Sequence, residues 1–199
     1  MVIPSGDASL ALLKTEEIAV AYRGDVLVWG NGPREFEVFL EPTCPYSAKA
    51  FGKLDALLAA VGEDKVTVKI RLHSQPWHMF SPVLVRAILT AAALGGKDAA
   101  KAVMAAIYAR IPEFEFERHA TGPNRDATPN DLIRRIEGYT GLQMMAAFDD
   151  VELDKGTRWE TKYARQNGIH VSLSFMIDGV FQGDLSSGDD VTKWAERLV

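Results

Sequence analysis

The sequence has a single cysteine, Cys44, among 199 residues, so no disulfide can form within the chain. It also lacks a continuous apolar run of the ~20 residues that a membrane-spanning helix needs. Residues 1–7 lack the charged region and apolar core of a signal peptide, so we expect a reducing, cytoplasmic location. The net charge is −5 and no long basic stretch is present, which argues against nucleic acid and anionic membrane surfaces as partners.

Internal repeats, low-complexity tracts and linkers rich in proline or glycine are also missing from the sequence. Hydrophobic residues make up 47% of the chain, which is enough for one domain with a substantial core. We therefore expect residues 1–199 to form a single domain.

The most informative stretch is a predicted strand that runs directly into a helix. Residues 35–40 are rich in strand-forming side chains that alternate with polar ones, which is typical of a strand. Pro42 ends that strand, Cys44 takes the N-cap position, and Pro45 occupies the first helical position. Apolar residues then recur at three- and four-residue steps, which predicts one amphipathic helix that ends at Gly62.

The chemistry of this stretch depends on the sulfur of Cys44. A helix N-terminus presents unpaired N–H groups and a partial positive charge, which stabilise a thiolate and raise its reactivity near neutral pH. The hydroxyl of Ser47, one helical turn further on, is placed to donate a hydrogen bond to that thiolate. The alternative is that Cys44 is a small buried apolar residue, as many free cysteines are.

The remaining elements predict an α/β fold. Residues 65–72 alternate over eight positions, and a strand–helix–strand order implies a parallel pair with a right-handed crossover. A helical region covers 82–166, with breaks near Gly95 and with Ser81 as the N-cap of its first helix. A strand pattern returns in 168–179.

Two short motifs resemble the thioredoxin superfamily. Thr43-Cys44-Pro45-Tyr46-Ser47 after a hydrophobic strand resembles its active-site turn, and residues 168–179 resemble the second signature of the DsbA-like branch. The resemblance implies an α/β thioredoxin-like fold with an inserted helical subdomain at 82–166.

The sequence departs from that family at four positions. Ser47 stands where the resolving cysteine is usual, Val171 stands in place of a glycine, Ser172 in place of a threonine, and Leu173 in place of a cis-proline. A cis bond before a non-proline residue costs about 3–4 kcal/mol, so we predict a trans Ser172–Leu173 bond. With Leu173 then near the sulfur, we expect peptide substrates to bind weakly and small thiols to react better.

The resemblance implies a thiol-disulfide oxidoreductase, or a protein similar to disulfide isomerases, with a single nucleophilic cysteine. Glutathione or another external thiol would release Cys44, no other cofactor is expected, and the partner would be a small thiol or a protein disulfide. The expected catalytic residues are Cys44 and Ser47. The expected substrate contacts are Pro45, Tyr46, Trp77, His78, Ser172 and Leu173.

Two alternatives remain open on the sequence. One is an enzyme similar to kappa-type glutathione transferases, in which the residue at the helix start activates bound glutathione. The other is a redox-inactive binding protein that keeps the fold without the chemistry. The oligomeric state is not indicated.

Other polar residues give weaker signals. Cys44, His73 and His78 are possible zinc ligands, but their irregular spacing leads us to predict no metal site. Glu37 would be a proton acceptor if it pointed inward, but we expect it on an exposed face.

Overall fold

A computed structural model describes residues 24–118 and 121–199 of the chain, and the N-terminal lead-in 10–22 lies outside this range. The described residues form a five-stranded sheet in the order β1-β3-β2-β4-β5. The strands are β1 (Val28–Gly30), β2 (Arg34–Leu40), β3 (Val66–Leu72), β4 (Ser174–Ile177) and β5 (Val180–Phe181). The α-helices are α1 (Pro45–Phe51), α2 (Leu54–Val61), α3 (Ser81–Tyr108), α4 (Pro129–Thr140), α5 (Val151–Gln166) and α6 (Val191–Glu196). Two short 3-10 helices cover Ile111–Glu113 and Pro123–Asp126.

Strand β2 lies at the centre of the sheet. It pairs in parallel with β3, as the strand–helix–strand order predicted, and antiparallel with β4. Val38 has Ile70 as its partner on one side and Phe175 on the other. Strands β1 and β5 complete the two edges in antiparallel pairs. Helices α3 to α5 occupy the chain between β3 and β4, as the predicted insertion requires.

The two faces of β2 meet different surroundings because successive side chains of a strand point in opposite directions. Phe36 and Val38 belong to the main apolar core, which also holds Trp194 of α6. Phe39 faces the other way and packs in a second cluster with Ala164 of α5. The sheet is therefore covered on both faces.

The single helix predicted from Pro45 to Gly62 is wrong in one respect, because the structure divides it at Gly52 and Lys53. The backbone N–H of Lys53 donates to the carbonyl of Ala50 over three residues, so the chain tightens there. Gly62 ends α2 as predicted, with φ at 100°.

The helical region follows the predicted outline with one correction at its start. Residues Gly95 and Gly96 leave helical geometry inside α3, which confirms the break predicted there. Ser81 is not the N-cap, because α3 begins at Ser81 itself and its hydroxyl has no hydrogen-bond partner among the described residues. Phe80 precedes the helix instead.

Candidate active site

Cys44 lies in the turn between β2 and α1. Its backbone N–H donates to the carbonyl of Glu41 over 3.2 Å, and its own carbonyl accepts from Ala48 over 3.0 Å. It occupies the N-cap position as predicted, without a side-chain capping hydrogen bond. The residue is buried, with 6% of its surface exposed, so a reagent has only narrow access to the sulfur.

Three chain segments meet at the end of the sheet where β2 leads into this turn. The N–H of His73, which follows β3, donates to the carbonyl of Leu40 at the end of β2 over 2.8 Å. On the other side Phe39 is the partner of Ser174, the first residue of β4. The loop that carries His78 therefore begins, and the loop that carries Leu173 ends, beside the strand that leads to Cys44.

The predicted catalytic partner Ser47 is fully buried in the first turn of α1. Its Oγ accepts a hydrogen bond of 3.1 Å from the backbone N–H of Glu41. The hydroxyl thus ties the start of α1 back to the end of β2. In the structure Ser47 thus has a structural hydrogen bond with Glu41. The hydrogen bond from its hydroxyl to a thiolate at Cys44 stays a prediction.

The predicted substrate contacts differ in exposure. Pro45 and Tyr46 are exposed directly after Cys44. Trp77 is exposed in the loop after β3, where its neighbour His78 is half-buried.

Ser172 and Leu173 are half-buried just before β4, and the prediction of a trans bond between them is wrong. The Ser172–Leu173 peptide is cis. Leu173 packs against the main core, and the hydroxyl of Ser174 donates to the carbonyl of Val171. Contacts of this kind cannot be read from the sequence. The expectation of weak peptide binding, which relied on the trans bond, has lost its basis.

A chain of polar side chains starts beside Cys44. The carboxylate of Glu41, fully buried, accepts from the backbone N–H of Thr43 over 2.8 Å and from its hydroxyl over 2.9 Å. Thr43 Oγ1 lies 2.8 Å from Nδ1 of His78. The same ring nitrogen lies 3.3 Å from Oε2 of Glu115. The loop after β3 and the helical insertion are thereby joined to the active-site turn.

Burial shifts the pKa of several groups near this network. It raises the pKa of Glu115, and the neighbouring His78 opposes that shift. It raises the pKa of Tyr108 well above its ordinary value, with the negative charge of Glu41 as a further cause. It lowers the pKa of His73, which is therefore neutral at pH 7. Tyr108 also contacts the active-site turn directly, because its hydroxyl donates to the backbone carbonyl of Glu41 over 3.3 Å.

Glu37 points inward, and the expectation of an exposed face is wrong. Its carboxylate accepts from Arg71 Nε over 2.7 Å and from the hydroxyl of Tyr163 over 2.9 Å. The guanidinium of Arg71 also lies over the rings of Tyr163 and Trp159. An ion pair between neighbouring strands allows both charges to be buried, and an alternating strand pattern does not reveal such a pair.

The sequence reasoning missed the roles of Thr43 and Glu115. Thr43 had a signal, since it directly precedes Cys44 and carries a hydroxyl. Glu115 had no such signal, because it lies in a loop-like stretch far along the chain from Cys44.

The described ranges, 24–118 and 121–199, hold no group of three or more His, Cys, Asp or Glu side chains arranged for a metal ion. In the same ranges, no helix has both the length and the apolar character to cross a bilayer.

Solved structures supply the comparison with known proteins. A protein from Pseudomonas syringae, provisionally named a protein-disulfide isomerase, is 64% identical with a TM-score of 0.87. The match covers 88% of this chain and 98% of that one. No family model matches the sequence, and no curated protein does.

More distant structures share the fold. DsbA2 from Pseudomonas aeruginosa is 16% identical with a TM-score of 0.60, over 87% of this chain and 93% of that one. The thiol-disulfide exchange protein alpha-DsbA2 from Wolbachia pipientis is 13% identical with a TM-score of 0.64, over 97% and 98%. These distant matches show the DsbA-like thioredoxin fold, and the match at 64% identity shows that the chain belongs to the same family as that Pseudomonas syringae protein.

Proposed function

We propose that this protein is a thiol-disulfide oxidoreductase or isomerase that works through the single thiol of Cys44. The observation that carries the proposal is the position of Cys44 between β2 and α1, at the end of the sheet where the loops around His78 and Leu173 also lie. The name of the similar Pseudomonas syringae protein supports the same class of reaction.

The reaction has two steps. The Cys44 thiolate attacks one sulfur of a substrate disulfide, the S–S bond breaks, and the other sulfur leaves as a thiolate that takes up a proton. The resulting mixed disulfide must then be opened by a second thiol. Because Ser47 stands where a resolving cysteine would be, that thiol comes from outside the chain, and glutathione is the proposed co-substrate.

An isomerase reaction needs no external thiol. A free thiol of the substrate protein attacks the mixed disulfide, so Cys44 leaves unchanged and the substrate carries a rearranged disulfide. The net oxidation state of the substrate is then the same before and after. A single nucleophilic cysteine is sufficient for this reaction. We propose the cytoplasm as the location of both reactions.

The proposal is tested by treating the native protein with oxidised glutathione and measuring its mass. We expect one glutathione adduct, which must lie on Cys44 because the chain has no other cysteine. The Cys44→Ser variant is the control and should gain no mass. A native protein that stays unmodified, and reacts only once it is unfolded in urea, would contradict the proposal.

The same mass measurement also tests a second candidate function, that of a redox-inactive binding protein. The burial of Cys44, with 6% of its surface exposed, favours this candidate. A thiol that reacts only in urea would support it. A kappa-type transferase differs again: it would bind reduced glutathione without a covalent adduct, and calorimetric titration of the Cys44→Ser variant would detect that binding.

A further inference from the structure

The buried carboxylate of Glu41 determines where the hydroxyl proton of Thr43 points. Among the described residues, its hydrogen-bond donors are the N–H and the hydroxyl of Thr43. A carboxylate only accepts, and a buried charge without donors is costly. Charge-assisted hydrogen bonds are also about twice as strong as neutral ones. The Thr43 hydroxyl therefore donates to Glu41.

This assignment fixes the tautomer of His78. Thr43 has one hydroxyl proton, so its oxygen must accept from the ring nitrogen Nδ1 that lies 2.8 Å away. Glu115 Oε2, 3.3 Å from the same nitrogen, is a second acceptor for that proton. In the neutral form of the ring this proton is the only N–H, so Nε2 of that form carries a free lone pair.

The ring that carries this nitrogen borders a pocket near the active-site turn. The half-buried ring of His78 lines an open pocket of 220 Å³, together with Trp77, Met79 and Phe116, and the charged groups on that pocket are Glu115 and Arg118. Within 24–118 and 121–199, no hydrogen bond occupies Nε2. The ring is held by Thr43, the residue directly before Cys44.

We propose that His78 is the general acid–base of the thiol exchange and that Glu115 is its positioning residue. This inference rests on the proposed function of Cys44. In the oxidoreductase reaction, release of Cys44 depends on an external thiol, which is mostly protonated at neutral pH and unreactive until it loses its proton. In its neutral form, His78 is held by the residue directly before Cys44, keeps Nε2 free, and can supply the required base.

The step balances without any further reagent. Nε2 takes the proton of the external thiol, and the new thiolate attacks the substrate sulfur of the mixed disulfide. The S–S bond to Cys44 breaks, and its electron pair stays on the Cys44 sulfur. The imidazolium then returns the proton to that sulfur. Thr43 and Glu115 accept from Nδ1–H throughout and keep the ring in place.

The test measures how fast two different thiols release glutathione from its mixed disulfide with Cys44. Release is measured at about pH 8.5, where 2-mercaptoethanol is still largely protonated and the more acidic trifluoroethanethiol is largely ionised. His78→Asn keeps a donor in the place of Nδ1 and removes Nε2. We expect it to slow release by 2-mercaptoethanol on the order of 10²-fold, and release by trifluoroethanethiol by less than about 3-fold, because an ionised thiol needs no base.

An equal loss with both thiols would indicate a structural role for His78 and overturn the proposal, as would no loss with either. Glu115→Gln is the second variant, which decides the question if His78→Asn does not fold. It keeps an acceptor oxygen but removes the charge that stabilises the imidazolium, so we expect a smaller loss with the same dependence on the thiol. A wild-type protein that forms no mixed disulfide would refute the proposed function and this inference together. A mixed disulfide that both variants release at the wild-type rate would refute this inference alone.

Discussion

Arg71 and Glu37 form a buried ion pair between neighbouring strands, with a hydrogen bond of 2.7 Å from Nε to Oε1. Both side chains are at least 95% buried. The guanidinium also donates to the carbonyl of Gly24 and stacks over Tyr163 of α5. One side chain thus connects β3, β2, the segment before β1 and the helix that covers this face of the sheet.

Replacing Arg71 should strongly destabilise the protein. In Arg71→Met the carboxylate of Glu37 stays buried with the hydroxyl of Tyr163 as its remaining partner, and breaking a buried ion pair costs about 3–5 kcal/mol. Lys155→Met, which breaks an exposed pair with Glu152, should cost less than about 1 kcal/mol. Urea unfolding of both variants measures the two losses. Similar values for the two would show that burial of the pair has no special importance.

Stability should fall at alkaline pH through Tyr163. Burial and the hydrogen bond to Glu37 raise the pKa of Tyr163 to about 12, from an ordinary value of 10.0. The contribution of its neutral form is therefore fully present below about pH 10 and is lost as the pH rises through about 12. Tyr163→Phe should show a shallower decrease of unfolding free energy over this range. An unchanged slope in urea unfolding between pH 9 and 12 would contradict the expectation.

A second cysteine at position 47 should form a disulfide with Cys44. Position 47 lies in the first turn of α1, three residues after Cys44, where residues at this spacing are neighbours on one helix face. We expect Ser47→Cys to lose both free thiols on treatment with oxidised glutathione and to need no external thiol for release. The matched control is Lys49→Cys, at an exposed position five residues after Cys44 that lies on another face of the helix. Two titratable thiols remaining in the oxidised Ser47→Cys variant would show that the geometry is unsuitable.

Two glycines should respond to alanine in opposite directions. Gly138 lies on the exposed side of α4 with nothing within 4 Å of an added Cβ, so Gly138→Ala should stabilise by about 0.5–1 kcal/mol. A Cβ on Gly32, in the turn before β2, would lie 1.9 Å from the carbonyl carbon of Lys65. We expect Gly32→Ala to destabilise by about 1–3 kcal/mol, since backbone atoms cannot move aside easily. Thermal unfolding of the two variants provides the comparison, and a shift in the same direction for both would oppose it.

The sequence alone determined the order of the elements and the location of the thiol. Alternation in β2 and β3 and proline at the first helical position act between near neighbours, so they are readable without a structure. The capping box of Thr128 and Asp131 at the start of α4 is another local feature, because it joins residues only three positions apart. The same local rules placed Cys44 at the start of α1.

The tertiary structure decided the surroundings of that thiol. The cis Ser172–Leu173 bond and the inward direction of Glu37 both reversed expectations, because propensities and alternation do not include contacts with distant parts of the chain. The contact of His78 with Glu115 joins two loops that folding brings together, over a distance in sequence that no short motif spans. Local residue preferences therefore set the position of the sulfur, whereas long-range packing and hydrogen bonding set which groups lie around it.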